Sequence, residues 1–278
     1  MEKNDTNLNQ WLEKGEELFY QGKFEEAIIY FNQILKLNPN NLDVLYFKSK
    51  SLECIGKYHG ALEGYNKILS VSPNDEDALF DCGIIFHNLG DYQKAVEFYN
   101  KILSINPRNK EAWYRKGMTV GAMGRFNEAI RFHEEALNID PLFVQALFGK
   151  GMTLELMDNI KEAIHFYEKI IKIDPKFIYA WYRKGVTLQI LGDLNGALKC
   201  MEEVFKMDPH FEDVKQQLDR LKDLTIRGSE KEDQERIPII IKDPSKIRET
   251  DEGFIYEDEN GKLWKLLFDK EPEISEKK

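Results

Sequence analysis

KEAWYRKGMTVGAMGRFNEAIRFHEEALNIDPLF, residues 110–143, holds two runs of helical apolar spacing with a turn at Gly124 between them and Pro141 near its end. The pattern recurs along the chain. Pro39, Pro73, Pro107, Pro141, Pro175 and Pro209 follow one another at intervals of 34 residues. With the proline at position 32, the repeats begin at Leu8, Leu42, Glu76, Lys110, Val144 and Ile178. Position 20 is then always alanine: Ala27, Ala61, Ala95, Ala129, Ala163 and Ala197. Position 8 is always small, and position 24 is mostly aromatic: Phe31, Tyr65, Tyr99, His133, Tyr167, then Met201. Small residues at 8 and 20 let paired helices approach closely, and the proline ends the second helix. The turn carries Gly22, Gly56, Gly90, Gly124 and Gly192, which suit a left-handed helix cap; Asp158-Asn159 replaces it in the fifth repeat.

Small at 8, Ala at 20, aromatic at 24 and Pro at 32 on this period resembles the tetratricopeptide repeat family, over residues 8–211. The resemblance implies an all-α fold, a right-handed superhelical α-solenoid of helix-turn-helix repeats. The repeats are expected at 8–41, 42–75, 76–109, 110–143, 144–177 and 178–211. A stack of repeats needs a polar-faced last helix. Phe211, Val214, Leu218 and Leu221 give one helical stripe, so a capping helix is expected over 212–224, closing a solenoid of 8–226. Residues 227–278 read as a charged linker and a tail: Gly228–Asp233 is charged and flexible in composition, and Ile237–Ile241 is short and extended. Gly253–Tyr256, Asn260-Gly261 and Leu263–Phe268 spell a small C-terminal β-hairpin with a type I′ turn.

Composition narrows the function. The 278 residues carry 39 Lys+Arg against 49 Asp+Glu, a net charge of −10. An acidic chain lacks the basic footprint that nucleic acid or an anionic membrane surface requires. No apolar run approaches the roughly 18–20 residues of a membrane span. The polar opening Met1–Asn7 does not read as a secretory signal, and three scattered cysteines suit a reducing compartment, so the cytoplasm is the expected location. No phosphate-binding glycine loop and no nucleophile–base pairing stand out, and Cys54, Cys82 and Cys200 occupy unrelated repeat positions. No catalytic residue, metal or cofactor is therefore expected. His133, at a core aromatic position, reads as a satisfied core histidine, and His87 as the histidine facing the groove.

In the family, positions 2, 5, 6, 9, 12 and 13 of the first helix line a concave groove that takes a protein or peptide partner. Carried over, position 5 gives Tyr46, Phe80, Tyr114, Phe148 and Tyr182, and position 6 gives Phe47, Asp81, Arg115, Gly149 and Arg183. Position 9 adds Lys50, Met118 and Met152, and position 2 adds Tyr179. The groove reads as acidic over the first three repeats and apolar with arginine over the last three. Arg115 and Arg183 are expected to pair with ligand carboxylates, and the aromatic stripe to supply buried area. Chaperone-binding members grip a C-terminal carboxylate with Lys at 5 and Asn at 9, then Asn at 6, then Lys at 2 and Arg at 6. Here Leu12, Glu16 and Phe47 break that pattern, so such a clamp is not expected. The resulting expectation is a scaffold or adaptor rather than an enzyme. A non-catalytic regulatory or substrate-selecting subunit of an enzyme, autoregulated by the tail, is the alternative. Self-association through the repeat ends or a strand edge is a further expectation.

Overall fold

In a computed structural model of the chain, residues 2–211, 213–228, 247–250, 253–257 and 263–266 are described, with side chains from residue 7 to residue 225 apart from 212. The chain forms two compact units, Met1–Leu218 and Asp219–Lys278. In the first, helices pair as hairpins: α1 (Glu2–Tyr20) with α2 (Phe24–Leu37), α3 (Leu42–Cys54) with α4 (Tyr58–Val71), and α5 (Glu76–Asn88) with α6 (Tyr92–Ile105). The series continues with α7 (Lys110–Ala122) and α8 (Phe126–Ile139), α9 (Val144–Leu156) and α10 (Ile160–Ile173), and α11 (Ile178–Ile190) and α12 (Leu194–Met207). The division between units falls within α13 (Val214–Gly228), whose Val214 and Leu218 are buried.

Each feature of the repeat has the packing role its chemistry suggests. The six alanines at position 20 are fully buried between paired helices. In the third repeat the position-24 ring comes close to the small residue at position 8: a Cβ on Gly83 would fall 2.6 Å from the Tyr99 ring, an approach that glycine allows there. The turn glycines take positive φ, 76° at Gly124, and Asp158 takes the same conformation at 63°. Entry to the first helices changes midway along the stack. Asn41, Asp75 and Asn109 accept hydrogen bonds from Val44, Ala78 and Ala112 N–H as N-caps. At the equivalent places Phe143, Phe177 and Phe211 instead pack edge-on against Tyr114, Phe148 and Tyr182 at 5.8, 5.4 and 5.4 Å.

In the second unit the expected hairpin is part of a larger element. Strands β1 (Ile247–Thr250), β2 (Gly253–Glu257) and β3 (Leu263–Leu266) form an antiparallel sheet in the order β1-β2-β3. Thr250 pairs with Gly253 across a two-residue connection, and Glu257 pairs with Leu263. The sequence reading missed β1 because Ile247-Arg248-Glu249-Thr250 is mostly polar and lacks an alternating apolar face. The expected Asn260-Gly261 turn, the Ile237–Ile241 segment and the Ser229–Asp233 linker lie outside the described residues.

Candidate partner-binding groove

Successive first helices touch one another, α1 with α3, α3 with α5, α5 with α7 and α7 with α9, which makes them the inner wall of the stack. On that wall each junction between repeats brings together position 12, position 24 and position 6 of the following repeat. The chemistry of this node differs at each junction. Between repeats 1 and 2 it is aromatic, with Phe47 stacked on Phe31 at 5.8 Å and edge-on to Phe19 at 5.3 Å. Between repeats 2 and 3 it is ionic. Tyr65 Oη lies 3.0 Å from both Glu53 and Asp81, and Lys50 Nζ reaches Asp81 at 2.7 Å and Glu53 at 3.1 Å. Burial and the neighbouring Asp81 charge push the Glu53 carboxyl above its ordinary range.

Between repeats 5 and 6 the node is a buried ion pair. Arg183 Nε and Nη2 donate to Glu155 Oε2 at 3.0 and 2.6 Å, Tyr167 Oη donates to the same carboxylate, and the two charged side chains are 16% and 7% exposed. At the capping helix Gln217 Nε2 donates to Tyr182 Oη at 3.0 Å.

The two central nodes are incomplete. Between repeats 3 and 4, Arg115 stands where Arg183 stands in its own node, but the position-12 residue is His87 rather than a glutamate. His87 Nδ1 lies 2.9 Å from Thr119 Oγ1, whose own proton goes to the Arg115 carbonyl at 2.8 Å. The hydroxyl therefore accepts, and His87 carries its proton on Nδ1. Burial and the Arg115 charge lower the His87 pKa, so the ring is neutral. Arg115 lies 5.7 Å from the Tyr114 ring, and no carboxylate among the described residues pairs with it. Between repeats 4 and 5 the node is Gly121, His133 and Gly149. His133 is 0% exposed, and neither ring nitrogen has a hydrogen-bond partner. Burial, then the Lys150 charge, lowers its pKa to about 4. It is a core histidine as expected, but not a satisfied one.

The sequence-assigned groove residues separate into groups. Tyr46, Phe80, Tyr114 and Phe148 are half-buried, each ring centred 5.9–6.0 Å from the position-24 ring of its own repeat. Tyr182 is buried against Phe211. The aromatic stripe is thus largely part of the packing, and Phe47 belongs to an aromatic node. Lys50, Asp81 and Arg183 are engaged in internal ion pairs. That alters the expectation that Arg183 meets a ligand carboxylate: its own Glu155 already occupies it. Arg115, Met118 and Met152 remain half-buried on the wall, and Tyr179 is 51% exposed beside Phe148 and Phe211. The residues that sequence reasoning passed over are Glu53 and Glu155, whereas His87, expected to face the groove, lies beside Thr119 and Arg115. A signal exists for Glu155, since position 12 and the next position 6 lie 28 residues apart and Glu155 with Arg183 is an opposite-charge pair at that spacing; Glu53 with Asp81 is a like-charge pair and gives none.

Comparison with known proteins agrees with this architecture. Family profiles described as "Tetratricopeptide repeat" match residues 9–41, 76–109, 110–141, 144–177 and 166–199. A comparison with curated proteins finds no match. Among solved structures, the type IV pilus biogenesis factor PilW is 17% identical, over 76% of this chain and 98% of its own, with a TM-score of 0.67. A tetratricopeptide repeat protein of Parabacteroides merdae is 19% identical, over 81% and 93%, with a TM-score of 0.65. MamA is 24% identical, over 61% and 93%, with a TM-score of 0.53. At these identities the likeness is one of fold. Among the described residues no helix is long and apolar enough to cross a membrane.

Proposed function

Because the chain belongs to the tetratricopeptide repeat family, we propose that it is a protein-interaction scaffold whose inner wall holds an extended or helical segment of a partner protein. The observation that carries this reading is the surface of repeats 3–5. There Ile84, Met118 and Met152, at position 9, lie half-buried beside Phe80, Tyr114 and Phe148. Unbranched methionines beside aromatic rings make an adaptable apolar floor, suited to side chains of varied shape. Exposed Asp43, Asp77 and Glu13 line the earlier repeats, which favours a segment with a basic stretch at that end. The protein's role in this reading is to position a partner, with no chemistry of its own.

The test is a quantitative pull-down from native lysate with the full chain as bait. The Met118→Glu/Met152→Glu variant places two charges on the apolar floor, and Lys67→Glu reverses an exposed charge on a second helix. Partners retained by wild type and Lys67→Glu but lost from the double variant are the expected result. Equal recovery on all three baits would overturn the groove reading.

A further inference from the structure

Node by node, the protein answers its own charged and aromatic position-6 side chains: Phe47 with two rings, Asp81 with Lys50 and Tyr65, Arg183 with Glu155 and Tyr167; the neutral Gln217 donates to Tyr182 while its Oε1 has no partner among the described residues. Gly149 has no side chain to answer. Arg115 has one, it is charged, and no carboxylate among the described residues reaches it. A half-buried guanidinium without a carboxylate has lost part of its hydration and gained no ion pair in return. The equivalent junction two repeats on shows what completes it, a single carboxylate held by Nε and Nη2. In place of that carboxylate stands the neutral ring of His87, with its Nδ1 proton already committed to Thr119.

We propose that the inner wall between repeats 3 and 4 is a receptor for one aspartate or glutamate side chain of a partner segment, with Arg115 as its cation. The inference rests on the scaffold reading above and specifies what the bound segment must carry. A side-chain carboxylate fits because the wall continues on both sides. Lys50 and Asp81 lie toward one end and Met118 and Met152 toward the other, so a bound chain passes across Arg115. The flanking position-9 residues Ile84 and Met118 are apolar, which leaves the acid as the one charged group of the ligand at that point. Arg115 is then a specificity-determining residue: a segment without the acid leaves the guanidinium covered and unpaired.

The experiment uses twelve-residue random peptides displayed on phage and selected on the full chain. Selected peptides are resynthesised with each acid replaced by its amide, and affinities are read by fluorescence polarisation. The selected set is expected to share one acidic position, whose amide replacement weakens binding tenfold or more. His87→Glu rebuilds the Glu155 arrangement within the chain, so it should weaken binding by a similar factor while the melting temperature holds or rises. Arg115→Gln should weaken it equally and abolish the difference between acid and amide peptides. If His87→Glu does not fold, the Arg115→Gln coupling alone decides the matter. Peptides that bind, and that Met118→Glu/Met152→Glu releases, yet show no acid preference or ignore Arg115→Gln, would overturn the carboxylate receptor and leave the scaffold reading standing. Selection that yields no binder removes both.

Discussion

His133 is the least comfortable side chain on the inner wall. Its ring is sealed between Gly117 and Gly149, where a Cβ on either glycine would lie 2.7 Å away, and its two nitrogens face no partner. An unmet buried donor costs about 1–3 kcal/mol. His133→Phe should therefore raise stability by about 1 kcal/mol in urea denaturation, since a ring of similar shape removes the donor. The pH dependence has a defined sign. An unfolded histidine protonates near about 6.5, whereas burial holds His133 neutral down to about 4. The unfolded chain thus binds the extra proton first, and stability falls as pH drops below about 6.5. His87, also lowered by burial and by Arg115, acts in the same direction. His133→Phe should lose less stability than wild type between pH 7.5 and pH 5. An identical loss would show that the ring is not buried neutral.

Within the elements, the turn chemistry was plain in the sequence, because a helix that must end and reverse in a few residues needs a left-handed cap. The five turn glycines and Asp158 all adopt it. Asp158 is the one with a Cβ in that region, at φ 63°. Asp158→Gly should relieve the strain and raise stability by about 0.5 kcal/mol, the gain being reduced by the greater freedom of glycine in the unfolded chain. A thermal melt of the two chains checks this, and destabilisation would mean that the Asp158 side chain supplies more than it costs. The helix entrances were less legible. Position 34 changes from Asn or Asp to Phe after the third repeat, and a cap and an aromatic clasp solve the same problem by unrelated contacts. The first strand of the small sheet escaped for a different reason: Arg248 and Glu249 give β1 no apolar alternation, and it is recognisable only by its pairing with β2.

Across the whole stack, each repeat packs chiefly on its neighbours, so stability is a chain of local terms joined at the nodes. The Glu155–Arg183 node holds the last third together. Glu155→Ala would leave Arg183 without its counter-ion, at a cost of about 3 kcal/mol. Amide exchange should then quicken in α9–α12 and leave α1–α6 close to wild type. A uniform rise along the chain would show instead that the stack unfolds as one unit. The sequence by itself determined the repeat, its length, the helix pairs and the turns, because each follows from local periodicity and from residues that only one backbone conformation suits. It did not determine which wall residues are free. Lys50, Asp81, Tyr182 and Arg183 share the wall with Arg115, yet only the tertiary structure shows that the first four are occupied from within. Such pairing depends on which side chain the next repeat brings alongside, and that neighbour stands on another helix, 28 residues away for Arg183 and Glu155, 31 for Lys50 and Asp81 and 35 for Tyr182 and Gln217.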